Sequence, residues 1–499
     1  MARPESASPA ATAEHAETAE SVSDARNAAH EPPLVVDLDG TLVATDLAIE
    51  AFLVLLRRSP IEALSLPFWL RHGRAAAKRE LASRVVLDVD TLPYRPELCA
   101  YLRGEARRGR RVVLATANDE GFARAIARHL KVFDRVVASD GITNLKGARK
   151  RDRLVQEFGE KGFDYVGDSR SDLAVWSSAR NAIVLGGPAL RAAAARRASL
   201  QSTIANPARA RIAPSLRTLR AHHWIKNLLV FVPLVAVHAL DPIAIGNAML
   251  AFASFCLVAS GQYVFNDLMD LSADRHHPQK KLRPIPAGEL RLGHAASMVP
   301  ALLVAGLAVA SRVPWPFAAV IALYGATAIA YSLRLKQVVL LDIVVLASLY
   351  MMRIVGGAAA TGIPVSRWLL ALSTFAFLSL AALKRHAEIV TMRVTTGGSA
   401  HLRGYRASDA TFLMTIGVAS GYLAGLIVAL YADSAVARRF YARPELLWLV
   451  CPLFVYWISH LWLMAERNRM AFDPVLFAVR DRTSQVLVAL MLGVFVLAI

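Results

Sequence analysis

The chain has 499 residues, enough for more than one domain, with 55% hydrophobic residues and a formal net charge of +18. A mean hydropathy of +0.40 excludes a wholly water-soluble protein of ordinary composition. The cysteines, Cys99, Cys256 and Cys451, are too far apart to suggest a disulfide framework or a thiolate metal site.

Nucleic acid is one partner for so basic a chain. The arginines and lysines, however, cluster beside apolar spans, where anionic headgroups attract them, so a membrane and no nucleic acid is the expected partner. Residues 1–31 are rich in Ala, Glu and Ser and lack the apolar core of a signal peptide. They read as a disordered tail, with the domain that follows left in the cytoplasm.

Residues 32–187 alternate short β-like runs with helical patterns. The runs are Leu34–Asp37, Arg111–Ala115, Val136–Ala138, Tyr165–Gly167 and Ala182–Leu185. This alternation predicts an α/β domain with a parallel sheet, whose ligands bind beyond the carboxyl ends of the strands. The motif residues fall at those ends. Asp37-Leu38-Asp39-Gly40-Thr41-Leu42 follows the first run. A carboxylate there can attack a phosphoryl group, and a second one two residues on can protonate the leaving alcohol. Two carboxylates so close also invite Mg²⁺. Thr116 ends the second run and can bond a phosphate oxygen. Lys146 opens a helical stretch and can hold negative charge. Gly167-Asp168-Ser169-Arg170-Ser171-Asp172 supplies further carboxylate.

These residues resemble the haloacid dehalogenase-like (HAD) hydrolases. The resemblance implies a Rossmann-like sheet with a helical cap over about 45–110. It makes Asp37 the nucleophile and Asp39 the acid/base. It places Mg²⁺ on Asp37, Asp39 and Asp168 with Asp172 in support, and phosphate on Thr116 and Lys146. Within the cap, Ala63–Leu70 is apolar, which fits lipid contact and ordinary cap core equally.

Residues 188–222 form a basic stretch with Arg191, Arg196, Arg197, Arg209, Arg211, Arg217 and Arg220. It reads as a linker or, preferably, a segment lying on the membrane surface.

Residues 223–499 read as an all-α polytopic bundle of about nine spans near the roughly 20 residues a bilayer requires, the first of them short and interrupted by Pro233. The spans fall near 225–240, 243–265, 294–312, 315–333, 338–361, 366–383, 410–431, 445–464 and 483–499. Loops after even-numbered spans carry most of the basic residues, from Arg275 to Arg482, which places them in the cytoplasm with the soluble domain. A multi-pass protein of a bacterial-type inner membrane is expected.

The second span runs into Asn266-Asp267-Leu268-Met269-Asp270-Leu271-Ser272-Ala273-Asp274. On a continuous helix the three aspartates share one face. Like charges so crowded call for a cation, and Mg²⁺ bridging to a diphosphate suits them. Carboxylates at a membrane edge are functional candidates by default. Lys280 and Arg283 follow, suited to an anionic substrate. Tyr331 and Lys336 occupy the next cytoplasmic turn, and Lys384 and Arg385 the third. Arg353 lies inside a span and either binds a lipid phosphate or pairs with another buried polar group.

This pattern resembles the UbiA superfamily of intramembrane transferases. Most members carry a second acidic motif after the sixth span, and Lys384–Asp409 has no paired aspartates. The departure suits the decaprenyl-phosphate phosphoribosyltransferases. The residues that carry this closer resemblance are His223-Trp224-Ile225-Lys226-Asn227, Asn266–Pro286, Tyr331–Lys336, Arg353–Gly357 and Lys384-Arg385.

That resemblance implies phosphoribosyl diphosphate as donor and a polyprenyl phosphate as acceptor. Mg²⁺ would sit on the catalytic pair Asp267 and Asp270 and on Asp274, with Lys226, Asn266, Lys336, Lys384 and Arg385 at the phosphates. The product would keep a 5-phosphate that the first domain could remove, and fusion would raise its local concentration. The alternatives are a prenyltransferase with an aromatic acceptor and an unrelated phosphatase, or a non-enzymatic transporter or lipid-binding scaffold.

Overall fold

The computed structural model describes residues 31–202, 212–238, 241–396, 404–470 and 473–499. Apart from Glu31, the expected N-terminal tail lies outside the described residues, as do Arg209 and Arg211 of the basic stretch. The chain divides into two compact units. One comprises residues up to Thr218 together with Asp267–Ala296, and the other Leu219–Asn266 with Ser297–Ile499.

The first unit holds a six-stranded parallel sheet. Its strands are β1 (Leu34–Val36), β2 (Val112–Asp119), β3 (Arg135–Ser139), β4 (Asp164–Gly167), β5 (Asn181–Val184) and β6 (Ser199–Ser202), in the order β3-β2-β1-β4-β5-β6. β1 pairs on both sides, Leu34 with Val112 and with Asp164. All three β1 residues are buried, as expected of a central strand covered on both faces. Asp37 and Asp168 follow β1 and β4 directly, so both stand at the carboxyl edge of neighbouring strands.

β6 lies in the stretch read as linker. Ser199-Leu200-Gln201-Ser202 has one apolar residue, too little for a hydrophobic signal, yet as an edge strand it pairs only with β5.

The lower end of the sheet is tied by charge. Asp164 is wholly buried and meets the guanidinium of Arg110, while Arg180 Nη2 lies 2.9 Å away. A buried carboxylate without such partners would be strongly destabilising.

The expected cap is helical. Helix α1 (Leu47–Arg58) starts at Asp46, whose side chain accepts from the backbone N–H of Ala48 and Ile49. Short helices Pro60–Ala63, Leu66–Arg71 and Arg74–Arg84 follow. Ala63 and Trp69 join the core, while Leu64 and Phe68 are exposed. The apolar stretch of the cap therefore serves its core and also presents a hydrophobic surface.

Residues Asp267–Ala296 pack within this unit. Arg275 donates to both oxygens of Glu50 on α1, at 2.9 and 2.6 Å, and both side chains are buried.

The second unit is helical. Among the described residues seven helices are long and apolar enough to cross a membrane, or eight if one bent pair is a single span. Such a chain is a multi-pass membrane protein. The long helices are α2 (Pro242–Met269), α3 (Leu292–Ala310), α4 (Trp315–Leu333), α5 (Leu341–Thr361), α6 (Arg367–Thr396), α7 (Asp409–Ala432) and the run Pro444–Glu466.

About nine spans were expected, and seven or eight of the described helices have the length and composition of one. The region near 225–240 forms a 3₁₀ segment, Ala221–Phe231, and a short helix, Val232–Ala236. Neither reaches bilayer length, and Pro233 cannot donate to a continuous ladder. The last expected span is one arm of the pair Pro474–Arg480 and Arg482–Ala498, bent by 84°.

Small residues set the close packing of the bundle. A Cβ on Gly357 would lie 2.0 Å from the carbonyl oxygen of Val230, so α5 meets the 3₁₀ segment backbone to side-chain-free backbone. Gly357→Ala should destabilise the bundle by about 1–3 kcal/mol. The measurement is the unfolding temperature of the detergent-solubilised chain. An unchanged value would contradict this contact.

Candidate active sites

The first site sits where β1, β2 and β4 end. One oxygen from each of Asp37, Asp168 and Asp172 lies within 4.8 Å of the others. Lys150 Nζ is 2.6 Å from Asp37 Oδ1 and 3.0 Å from the Tyr165 hydroxyl. Burial pushes the pKa of Asp37 up to about 7, with Lys150 pulling it down and Asp172 and Asp168 adding to the rise. Three carboxylates gathered around one point form a donor set that fits a divalent cation. Asp172 is oriented by the Tyr165 hydroxyl at 3.0 Å and by the Ser169 hydroxyl at 2.6 Å.

Asp39 stands slightly apart. Its Oδ1 accepts from Leu47 N at 3.0 Å, and its Oδ2 accepts from Asn118 Nδ2 at 3.1 Å. Burial first, and then the charge of Asp46, raise its pKa to about 7. A carboxyl group that keeps its proton near neutrality can act as a general acid. A cavity of about 370 Å³ opens over Asp37, Asp39, Lys146, Lys150 and Asp168. Thr116 is buried in β2, where its hydroxyl accepts from Asn118 N at 3.0 Å. It is the neighbouring Ala117 that lines the cavity.

The acidic motif after α2 departs from the single helix face expected of it. The helix ends at Met269, Asp270 occupies the break, and a short helix, Leu271–His276, restarts beyond it. The break separates the roles of the three aspartates. Arg283 Nη1 donates to Asp267 Oδ1 at 3.1 Å and to Asp274 Oδ2 at 2.8 Å. Lys280 Nζ stands 3.9 Å from Asp274. Asp270 instead faces Arg57 of α1, at 3.3 Å. All three aspartates are buried, and burial raises the pKa of Asp274 against the pull of Arg283 and Lys280. Among the described residues these three do not converge as closely as Asp37, Asp168 and Asp172 do. What Asp267 and Asp274 share is a position around one cationic group, which fits a cation site of two carboxylates.

The second unit carries its own polar cluster. Lys226 pairs with Asp473, and Lys384 acts electrostatically on the same carboxylate. Lys336 Nζ donates to Asn266 Oδ1 at 3.1 Å. Arg353 donates to Asn227 Oδ1 at 2.8 Å and to the Tyr324 hydroxyl at 3.0 Å, so its donors meet buried polar groups, one of the two readings open from sequence. Arg385 is fully buried and bonds Asp342, Glu388 and the Tyr331 hydroxyl. Asp342 also accepts from the Tyr405 hydroxyl at 2.5 Å.

Comparison with known proteins gives a family for each of the two parts of the chain. The model of the UbiA prenyltransferase family matches residues 227–394, and that of the haloacid dehalogenase-like hydrolases matches residues 34–176. Uncharacterized protein y4nM of Sinorhizobium fredii is 36% identical, over 93% of this chain and 91% of its own. Nodulation protein NoeC of Azorhizobium caulinodans is 36% identical over 54% of this chain and 87% of its own. The decaprenyl-phosphate phosphoribosyltransferase of Mycolicibacterium smegmatis is 32% identical over 58% of this chain and 93% of its own.

The chain belongs to the UbiA prenyltransferase family.

Its UbiA part is preceded by a haloacid dehalogenase-like hydrolase domain. Sequence reasoning missed Lys150 in the HAD domain, although it stands four residues after Lys146 on a helical stretch, Ala148–Phe158. It also missed Asn118, which holds Asp39, and Asp473, a lone acid among basic neighbours in the UbiA part. Only their folded positions mark these residues out.

Lys150→Met should leave Asp37 buried without its cation. Hydrolysis of p-nitrophenyl phosphate by the full chain should then fall about 100-fold or more in kcat. Activity within a factor of three of the wild type would show that Lys150 is not needed at that carboxylate.

Proposed function

We propose that the UbiA domain transfers phosphoribosyl from phosphoribosyl diphosphate to a polyprenyl phosphate, and that the HAD domain then removes the 5-phosphate of the lipid-linked product. The observation that carries the reading is the charge pattern of the bundle. Where most relatives in the superfamily place a second acidic motif, this chain has Lys384 and Arg385. Lys226 pairs with Asp473, and Lys384 acts on both Asp473 and Glu388. Cations in place of that second acidic motif suit an acceptor that is itself a phosphate. The likeness to decaprenyl-phosphate phosphoribosyltransferases over nearly their full length supports the same substrates.

In the transfer step, the anionic oxygen of the lipid phosphate attacks the anomeric carbon, and the bond to diphosphate breaks. Asp267, Asp274 and Arg283 would hold the departing diphosphate, with Lys280 beside them. Mg²⁺ bound by such carboxylates supplies charge neutralisation for the leaving group. Lys226, Lys336 and Lys384 would position the lipid phosphate.

In the hydrolytic step, Asp37 attacks the 5-phosphorus while Asp39 gives its proton to the departing sugar oxygen. Water then attacks the acyl phosphate, and Asp39 takes up the proton it loses. Lys150 and Lys146 would offset the negative charge that builds on phosphorus. The carboxylates Asp37, Asp168 and Asp172 are the residues that would hold Mg²⁺ there. The HAD domain faces the cytoplasm of a bacterial-type inner membrane in this reading, by the distribution of basic loops.

The match to a prenyltransferase family model favours a second reading, in which a prenyl diphosphate alkylates an aromatic acceptor. One assay separates the two. The purified chain is incubated with Mg²⁺, polyprenyl phosphate and labelled phosphoribosyl diphosphate, and the lipid fraction is analysed. Label should enter the lipid as a ribose without a 5-phosphate. Asp267→Asn should cut incorporation by at least about 100-fold, and Asp37→Asn should leave the 5-phosphate in place. Absence of label from the lipid would contradict the transfer. Loss of the 5-phosphate in Asp37→Asn would contradict the coupling.

A further inference from the structure

The phosphatase cavity has a wall that its own sheet and cap do not supply. Arg291 and His294 line the same cavity as Asp37, and they come from the segment that follows the acidic motif. Fixed contacts hold this segment in place. Glu50 and Arg275 form a buried two-pronged pair at its start. Gly288 adopts φ +71°, and a Cβ there would lie 2.7 Å from the Ala44 Cβ, so only glycine lets the segment come this close. Further on, His294 Nε2 lies 3.2 Å from the Ser215 hydroxyl.

Arg291 is held differently. Its side chain is 55% exposed, and its guanidinium stands 3.7 Å from the nearest oxygen of Asp168, beyond hydrogen-bond reach. An ion pair of that length and exposure contributes little, so the guanidinium can turn toward an entering anion at small cost. Asp168 in turn stands within 4.8 Å of Asp37. A phosphate monoester seated on Asp37 would therefore have a planar, two-pronged anion binder close beside it.

We propose that Arg291 is a specificity residue of the phosphatase centre and holds a second phosphate group on the alcohol portion of the substrate. The inference rests on the phosphatase reading of the HAD centre. The substrate class is a sugar bearing one phosphate monoester, which is hydrolysed, and one further phosphate, which is gripped. A phosphodiester to a polyprenyl chain and a free second phosphoester present the same chemistry to the guanidinium.

The test uses the full chain in detergent with three substrates: ribose 5-phosphate, ribose 1,5-bisphosphate, and polyprenyl-phosphoryl ribose 5-phosphate in micelles. The wild type should prefer at least one doubly phosphorylated substrate by about tenfold or more in kcat/KM. Arg291→Ala should shrink that ratio by a similar factor through KM, and Arg291→Lys should restore part of it. Raising the salt concentration should also shrink the ratio. Preference for the soluble bisphosphate alone assigns the second phosphate to a free sugar, and preference for the micellar substrate assigns it to the lipid. A wild type without preference, or an unchanged ratio in Arg291→Ala, overturns the proposal. Release of no phosphate from any of the three overturns the phosphatase reading itself, and the proposal with it.

Discussion

Burying an ionised carboxylate calls for a cation or hydrogen-bond donors beside it, and that constraint shapes both units of this chain. An isolated charge in a low-dielectric interior costs several kcal/mol even after relaxation. Asp164 meets Arg110 and Arg180, Glu50 meets Arg275, and Asp342 meets Arg385. Asp37 meets Lys150, Asp473 meets Lys226, and Asp267 and Asp274 meet Arg283. In the first group each carboxylate lies against guanidinium groups. In the second, Asp37 keeps Asp168 and Asp172 close by, Asp473 lies near Lys384 as well as Lys226, and Asp267 and Asp274 gather around Arg283 with Lys280 beside Asp274. Several charged groups gathered at one place are candidate sites for a charged ligand.

The HAD centre was legible in the sequence because its residues sit next to short β-branched strands. Asp37 and Asp168 could be placed at strand ends from Leu34-Val35-Val36 and Tyr165-Val166-Gly167 alone. Lys150 was not legible, since a lysine in the first turn of a basic helix looks like any solvated face. Its burial depends on the long-range contact with Asp37. β6 escaped for the opposite reason. An edge strand needs little hydrophobicity, and Ser-Leu-Gln-Ser carries little.

The bundle was legible in its apolar spans and hard to read where the helices break. A window of hydrophobicity cannot distinguish one straight span from a 3₁₀ segment joined to a short helix, as near Pro233, or from a pair bent by 84° near Asp481. The acidic motif shows the same limit. A spacing of three and four residues places the aspartates on one face only while the helix lasts, and it ends at Met269. Beyond that point Asp270 answers to Arg57, and the partnership of Asp267 with Asp274 is made by Arg283 rather than by helical geometry.

The account stands or falls on whether these clustered carboxylates are cation sites. The direct measurement is Mn²⁺ binding to the full chain in detergent, followed by electron paramagnetic resonance with inorganic diphosphate present. The account predicts two separable populations of bound ion. Asp168→Asn should remove one, and Asp274→Asn the other. A spectrum that neither substitution changes would contradict it.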